Sequence, residues 1–180
     1  MASSSFVHLQ CQSEYSVKNS LIRVPKLIES VQQAGMDSVA LTDHMSLFSA
    51  VKFYQKAIDS GIKPIIGVKV VVAFSLGQYE VILLCQNNEG YLNLSELISK
   101  AYLNEQGIEG VSVTEEQLIE HQNGLIMVAT SVSSDIAQLL LANESNLAEE
   151  KALGWKSIFS DRYYMSVQRT DRPQMNNSFT

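Results

Sequence analysis

Asp43 and His44 stand side by side at the end of an apolar run, Ala40-Leu41-Thr42. A carboxylate beside an imidazole is a pairing used in general acid–base chemistry. No nucleophile stands at a recognisable spacing from the pair, so by itself it is incomplete for such chemistry. His8, in Phe6-Val7-His8-Leu9, reads as a buried, hydrogen-bonded imidazole rather than a ligand. His121, in the polar turn Glu120-His121-Gln122-Asn123-Gly124, reads as solvent-exposed. Cys11 and Cys85 each lie in an apolar run and form no Cys-x-x-Cys pair, which predicts buried thiols in a reducing cytoplasm. Tyr163, Tyr164 and Trp155 could stack on nucleic-acid bases, but their strand and helix spacing predicts core positions. Gly-x-Gly-x-x-Gly, the Gly-x-x-x-x-Gly-Lys phosphate loop and Gly-x-Ser-x-Gly do not occur.

The elements that must position these residues alternate. Short apolar runs predict strands at Phe6–Cys11, Ser38–Thr42, Pro64–Phe74, Glu80–Cys85, Leu125–Ala129 and Arg162–Gln168. Helical periodicity falls between them. Val24, Leu27, Ile28 and Val31 form an i, i+3, i+4, i+7 stripe over Val24–Ala34, with Gly35 as the stop. Further helices are predicted over Leu47–Ser60, Tyr91–Tyr102, Ser134–Leu141 and Leu147–Phe159. Thr114-Glu115-Glu116-Gln117 has the form of a capping box opening a short helix. Glu105–Val113 is the most loop-like internal stretch. Strands separated by helices predict a parallel α/β sheet buried on both faces. Periodicity alone leaves an open sheet and a closed barrel as alternatives.

The chain has 180 residues, 46% hydrophobic and 18% charged, with a net charge of −6. That length supports one domain with a real core. An acidic chain without a run of Lys or Arg is poorly suited to holding a phosphate backbone, so no direct DNA contact is expected. The N-terminus lacks the basic and apolar regions of a signal peptide. No stretch approaches the ~18 apolar residues of a membrane helix, so a soluble cytoplasmic protein is expected.

Several fragments carry a resemblance. They are Phe6–Ser16, Ala40-Leu41-Thr42-Asp43-His44, Gly61–Gly67, Asn87–Leu94, Gly124-Leu125-Ile126 and Asp161-Arg162-Tyr163-Tyr164. Together, in this order, they resemble the PHP (polymerase and histidinol phosphatase) family, in its branch at the start of bacterial replicative DNA polymerase III alpha subunits. The resemblance implies an incomplete, distorted (β/α)7-type barrel with about six parallel-type strands. It implies that residues 1–180 are a single PHP segment, truncated at the C-terminus, with the polymerase domains absent.

The family's active members bind two or three divalent metals through His, Asp and Glu at strand ends, where the metals activate water and neutralise phosphate charge. The resemblance places this chain's counterparts at Gln10, Gln12, Asn19, Asp43, His44, Lys69, Glu80 and Ser131. Neutral amides are poor ligands, and an ammonium at Lys69 repels a cation. Only Asp43 and His44 look intact. The expectation is therefore no catalytic residue, no metal and no cofactor, with these positions converging as a vestige. The space is expected to hold an ion pair between Lys69 and Glu80 or Asp43.

Two functions follow from the resemblance. In the first, the segment is a non-catalytic structural and docking module of the polymerase III alpha subunit, whose nucleotidyl transfer lies elsewhere. Its partners would be other polymerase III subunits, the proofreading exonuclease above all, and the remaining domains of alpha. In the second, it is a metal-dependent phosphoesterase, a pyrophosphatase or 3′–5′ exonuclease, which needs the missing ligands.

Overall fold

The fold was analysed in a computed structural model that describes residues 6–74, 77–103, 110–131 and 133–168. Helix α1 (Val24–Gln33) carries proline in its first turn, where backbone N–H groups have no helical partner. It buries the predicted stripe of Val24, Leu27, Ile28 and Val31. Gly35 follows at φ +68°, a left-handed conformation that glycine adopts without a Cβ clash. Strand β1 (Ser38–His44) leads to α2 (Ala50–Asp59), which buries Ala50, Phe53 and Ala57. Together α1, α2 and β1 enclose one apolar cluster, with Ile28, Val39, Leu41 and Phe53 at its centre.

Strands β2 (Lys63–Phe74) and β3 (Gly77–Cys85) follow, and then α3 (Asn88–Leu103). A two-residue strand β4 (Val113–Thr114) runs into α4 (Glu115–Glu120), and the predicted capping box at Thr114 and Gln117 is formed. Then come β5 (Leu125–Ala129), α5 (Asp135–Leu141), α6 (Ser145–Phe159), a short 3-10 turn and β6 (Tyr163–Met165). The predicted loop at 105–113 falls largely outside the described residues, as does the chain beyond Gln168.

The sheet order is β1-β2-β3-β5-β6, with β4 paired to the far end of β2. β1 with β2, β2 with β4, and β5 with β6 are parallel. β3, however, is antiparallel to both β2 and β5. The expectation of uniformly parallel strands is corrected there. Phe74 pairs with Gly77, so only two residues join the strands, and a parallel crossover needs a dozen or more. The predicted first strand is also corrected. Residues 6–11 make one isolated parallel bridge, His8 with Val39, although the backbone amides of Ala40 and Thr42 donate to His8 and Cys11 carbonyls.

The helix side of the sheet buries Val68, Val70, Val72, Val81, Leu83 and Met127 against α3, α4 and α6. Trp155 lies in this core as expected, and its Nε1 donates to the buried Asp135 at 2.7 Å. Tyr163 faces the same core, but its neighbour Tyr164 is exposed, since successive strand residues alternate faces. The other face of the sheet carries a smaller cluster built from strand residues, among them Ala40, Ile82 and Leu84. Gly90 and Gly124 bring α3 against the start of β5. A Cβ on Gly90 would stand 1.9 Å from the Gly124 carbonyl oxygen.

Candidate functional site

Strand alternation sorts the candidate residues before any side chain is placed. β1 and β2 pair His44 with Lys69, and the antiparallel ladder pairs Val71 with Glu80. Lys69 and Glu80 are therefore diagonal neighbours on one face, within reach of long side chains. The Lys69 Nζ lies 2.7 Å from Glu80 Oε2, which is the ion pair expected from the sequence. The Ser133 hydroxyl donates to the same oxygen at 2.7 Å. His44 Nε2 stands 3.8 Å from the other oxygen, beyond hydrogen-bond range. Thr130 completes the arrangement, its hydroxyl lying 3.0 Å from Ser133 and donating to the Glu80 carbonyl at 2.9 Å.

Asp43 is one residue from His44 and faces the other way. It is buried, and its carboxylate accepts from the Ser13 amide at 2.6 Å, the Ser13 hydroxyl at 2.7 Å and the Ser16 hydroxyl at 2.7 Å. The Ser49 hydroxyl donates to it as well. Asp43 thus pins the Ser13–Ser16 segment to the start of α2. The Ser16 oxygen also accepts from the His44 amide at 3.0 Å. The expectation that Asp43 converges with His44, Lys69 and Glu80 is corrected.

The remaining candidates differ in exposure. Gln10 and Asn19 are exposed, and the Asn19 amide donates to the Ser16 carbonyl. Gln12 is half-buried, and its Nε2 is enclosed without a hydrogen-bond partner among the described residues. Ser131 is half-buried, and it is Ser133 that reaches Glu80. Sequence reasoning missed Thr130 and Ser133, although the hydroxyl-rich run Thr130-Ser131-Val132-Ser133-Ser134 was a signal. It also missed that Ser13 and Ser16 serve Asp43.

The other histidines differ from expectation. His8 is exposed, with its ring edge-on to Phe6 at 4.8 Å between centroids. His121 is buried rather than exposed. Its Nδ1 lies 2.7 Å from the Gln117 carbonyl, and the Lys100 ammonium, a pure donor, lies 3.0 Å from Nε2. Cys11 and Cys85 are free and half-buried. Burial raises both thiols, Cys85 up to about 12, so neither is a ready nucleophile.

Beside the Lys69–Glu80 pair lies an open hollow of about 510 Å³, lined in part by Lys18, His44, Gln78, Glu80, Tyr102 and Ser133. Burial alone would raise the Glu80 carboxyl. The Lys69 and Ser133 hydrogen bonds and the Lys69 charge overcome it and hold the group below the ordinary glutamate range. Burial lowers the His44 imidazole, and the Lys69 and Lys18 charges add to that against the pull of Glu80. Both groups are therefore held in their neutral-pH forms, a carboxylate and an uncharged ring.

This donor set fits a divalent metal poorly. A cation on Glu80 would stand beside the Lys69 ammonium. At 4 Å and an effective dielectric of ~20, a unit charge repels another by about 4 kcal/mol, and a divalent ion by about twice that. Among the described residues, no group of three His, Cys, Asp or Glu side chains is placed to hold a metal.

Comparison with known proteins adds a family. The PHP domain profile matches residues 8–170. The DNA polymerase III subunit alpha of Pseudomonas fluorescens is 36% identical over 172 residues, covering 94% of this chain. That of Escherichia coli K12 is 36% identical over 176 residues, covering 96%. That of Borreliella burgdorferi is 34% identical over 177 residues, covering 92%. The chain spans about 15% of the length of each of these relatives. In shape it is similar to a crystal structure of a candidate metal-dependent phosphoesterase from Bifidobacterium adolescentis. The TM-score is 0.55 at 9% identity, over 71% of this chain and 67% of that one. That likeness concerns the fold alone.

Proposed function

Because the chain belongs to the PHP domain family and aligns with DNA polymerase III alpha subunits over nearly all its length, we propose that it is the PHP portion of such a subunit, without metal chemistry, serving structure and docking. DNA-directed nucleotidyl transfer belongs, in this reading, to other parts of the subunit. The partners are other polymerase III subunits, the proofreading exonuclease first, and the neighbouring domains of alpha. No direct DNA contact and no cofactor are assigned to this segment.

One observation carries the reading. The Glu80 carboxylate oxygen that a metal would need is held by the Lys69 ammonium and the Ser133 hydroxyl. A phosphoesterase would have to displace that ammonium and recruit ligands from amide side chains, so the enzyme reading is set aside. Asp43 supports the same view. Its oxygens are taken up by Ser13, Ser16 and Ser49, which makes it a brace for the strand end. The acidic net charge argues for protein partners over nucleic acid.

The test is a pull-down of the proofreading exonuclease by the complete alpha subunit, with and without residues 1–180. Loss of exonuclease binding, together with a less stable remainder, is the expected result. Undiminished binding and unchanged stability after the deletion would refute the docking and bracing roles.

A further inference from the structure

Asp135 is a carboxylate that the strand-end site does not use. It opens α5 and is fully buried. Its Oδ2 accepts from the indole Nε1 of Trp155 at 2.7 Å, and its Oδ1 from the Ile136 amide at 2.9 Å. Neither donor is charged. The charges that act on it from other elements oppose each other: Lys151 of α6 favours the ionised form and Glu115 of α4 disfavours it. These two are already paired. Lys151 Nζ lies 2.6 Å from both Glu115 oxygens, and the Tyr79 hydroxyl of β3 donates to one of them at 2.9 Å. Tyr79 and Tyr163 are the remaining titratable neighbours, and burial, with the Asp135 charge behind it, keeps both phenols protonated. The Tyr163 hydroxyl, from β6, is enclosed without a hydrogen-bond partner among the described residues.

These groups sit where one unit joins the rest of the fold. α5, α6 and β6 share a small core of Ile136, Leu139, Ala148 and Tyr163. Trp155 and Phe159 carry that unit into the main core. A unit with so little apolar core of its own is where a fold opens locally. We propose that Asp135 is a proton-operated latch on the α5–α6–β6 unit: with its proton on, a neutral carboxyl sits in the core and the unit packs tightly, and with it off, a buried charge loosens the unit from the sheet. Two neutral donors leave most of that charge uncompensated. Burial raises the Asp135 carboxyl above the ordinary aspartate range and Glu115 adds to the rise, against the Trp155 and Ile136 hydrogen bonds and the Lys151 charge. A carboxyl raised on folding adds stability that is fully present below its unfolded value of about 3.9 and is lost as pH rises through the folded value. Its slope is thus opposite in sign to that of Glu80, whose carboxyl is lowered.

Trp155 is the only tryptophan, so its indole N–H gives a single resonance that reports the carboxyl it touches. The experiment follows that resonance by nitrogen-15 NMR of the 180-residue chain across the acid and neutral range. Hydrogen exchange, taken relative to intrinsic rates, is measured over the same range. The expected result is one titration with its midpoint above about 3.9. The α5 and α6 amides should lose at least tenfold in protection as pH rises through it, while α1 and α2 do not follow. Asp135→Asn, which keeps an oxygen for the Trp155 N–H, should make both readouts flat. Should that variant not fold, Lys151→Met and Glu115→Gln decide, since both side chains are partly exposed. Lys151→Met should raise the midpoint and Glu115→Gln should lower it. A flat resonance in the unaltered chain, a midpoint at or below about 3.9, or α5–α6 protection that ignores the titration overturns the latch. So does a shift in the same direction for the Lys151 and Glu115 variants.

Discussion

The Lys69 ammonium lies 2.7 Å from the Glu80 carboxylate, on the sheet face that also carries His44. Both side chains are largely shielded, with 16% and 25% of their surface exposed. Replacing Lys69 by Met should cost about 1–2 kcal/mol at neutral pH, because Glu80 then keeps its charge without its cation. The pair also sets an acid-side dependence. The folded-state Glu80 titrates below its unfolded value, so its contribution is present above pH ~4.3 and is lost as pH falls through the folded value. Urea unfolding between pH 3 and 7 should show this slope in the unaltered chain and a weaker one in Lys69→Met. Equal slopes would mean that the pair contributes nothing.

Asp43 should prove a structural carboxylate. Asp43→Asn is expected to cost about 3 kcal/mol, since an amide cannot accept from three hydroxyls and a backbone amide as a carboxylate does. Ser16→Ala should cost about 1 kcal/mol. A double-mutant cycle in urea should give a coupling energy between the two sites. Additive losses would contradict the direct bond between them.

The linear elements were legible because their apolar periods were strong. The stripe of α1, the capping box of α4 and the β-branched run of β2 all appear where the sequence placed them. The Lys69–Glu80 pair was legible from an acid and a base standing at positions that the resemblance assigned to one site. The split between Asp43 and His44 could have been read from strand alternation, because adjacent residues point to opposite faces. The turn of β3 could have been read from the few residues between Phe74 and Glu80, too few for a crossover. His121 was not legible, because Lys100, which reaches its ring, comes from another helix 21 residues away in the chain. Ser133 was out of reach for a similar reason: its bond to Glu80 joins residues 53 apart in the chain.

His44 should titrate below the ordinary histidine value of about 6.5. Burial leads this shift, and the Lys69 and Lys18 charges reinforce it. A base with a lowered folded value loses stability as pH drops below its unfolded value, though its partial exposure keeps the contribution small. Lys69→Met should raise the His44 titration in a two-dimensional NMR series. A midpoint that stays put or falls would show that Lys69 does not act on the ring.

Rebuilding the donors tests the proposal that Gln10, Gln12 and Lys69 stand at metal-ligand positions. Gln10→His, Gln12→His and Lys69→Glu together should raise zinc or manganese affinity more than any one of them alone. A single restored ligand leaves the set incomplete, and either histidine change alone leaves the ammonium in place. Calorimetry with each metal ion reads this directly. A single change matching the triple would show that one residue, and not the set, controls affinity.

The central claim is that the Lys69–Glu80 ion pair leaves the strand-end hollow unfit for a divalent metal. Elemental analysis of the purified chain, after equilibration with zinc, manganese or magnesium and removal of excess ion, tests it most directly. The account predicts far less than one metal per chain, unchanged in His44→Ala. One or more metals per chain, lost on His44→Ala, would contradict it.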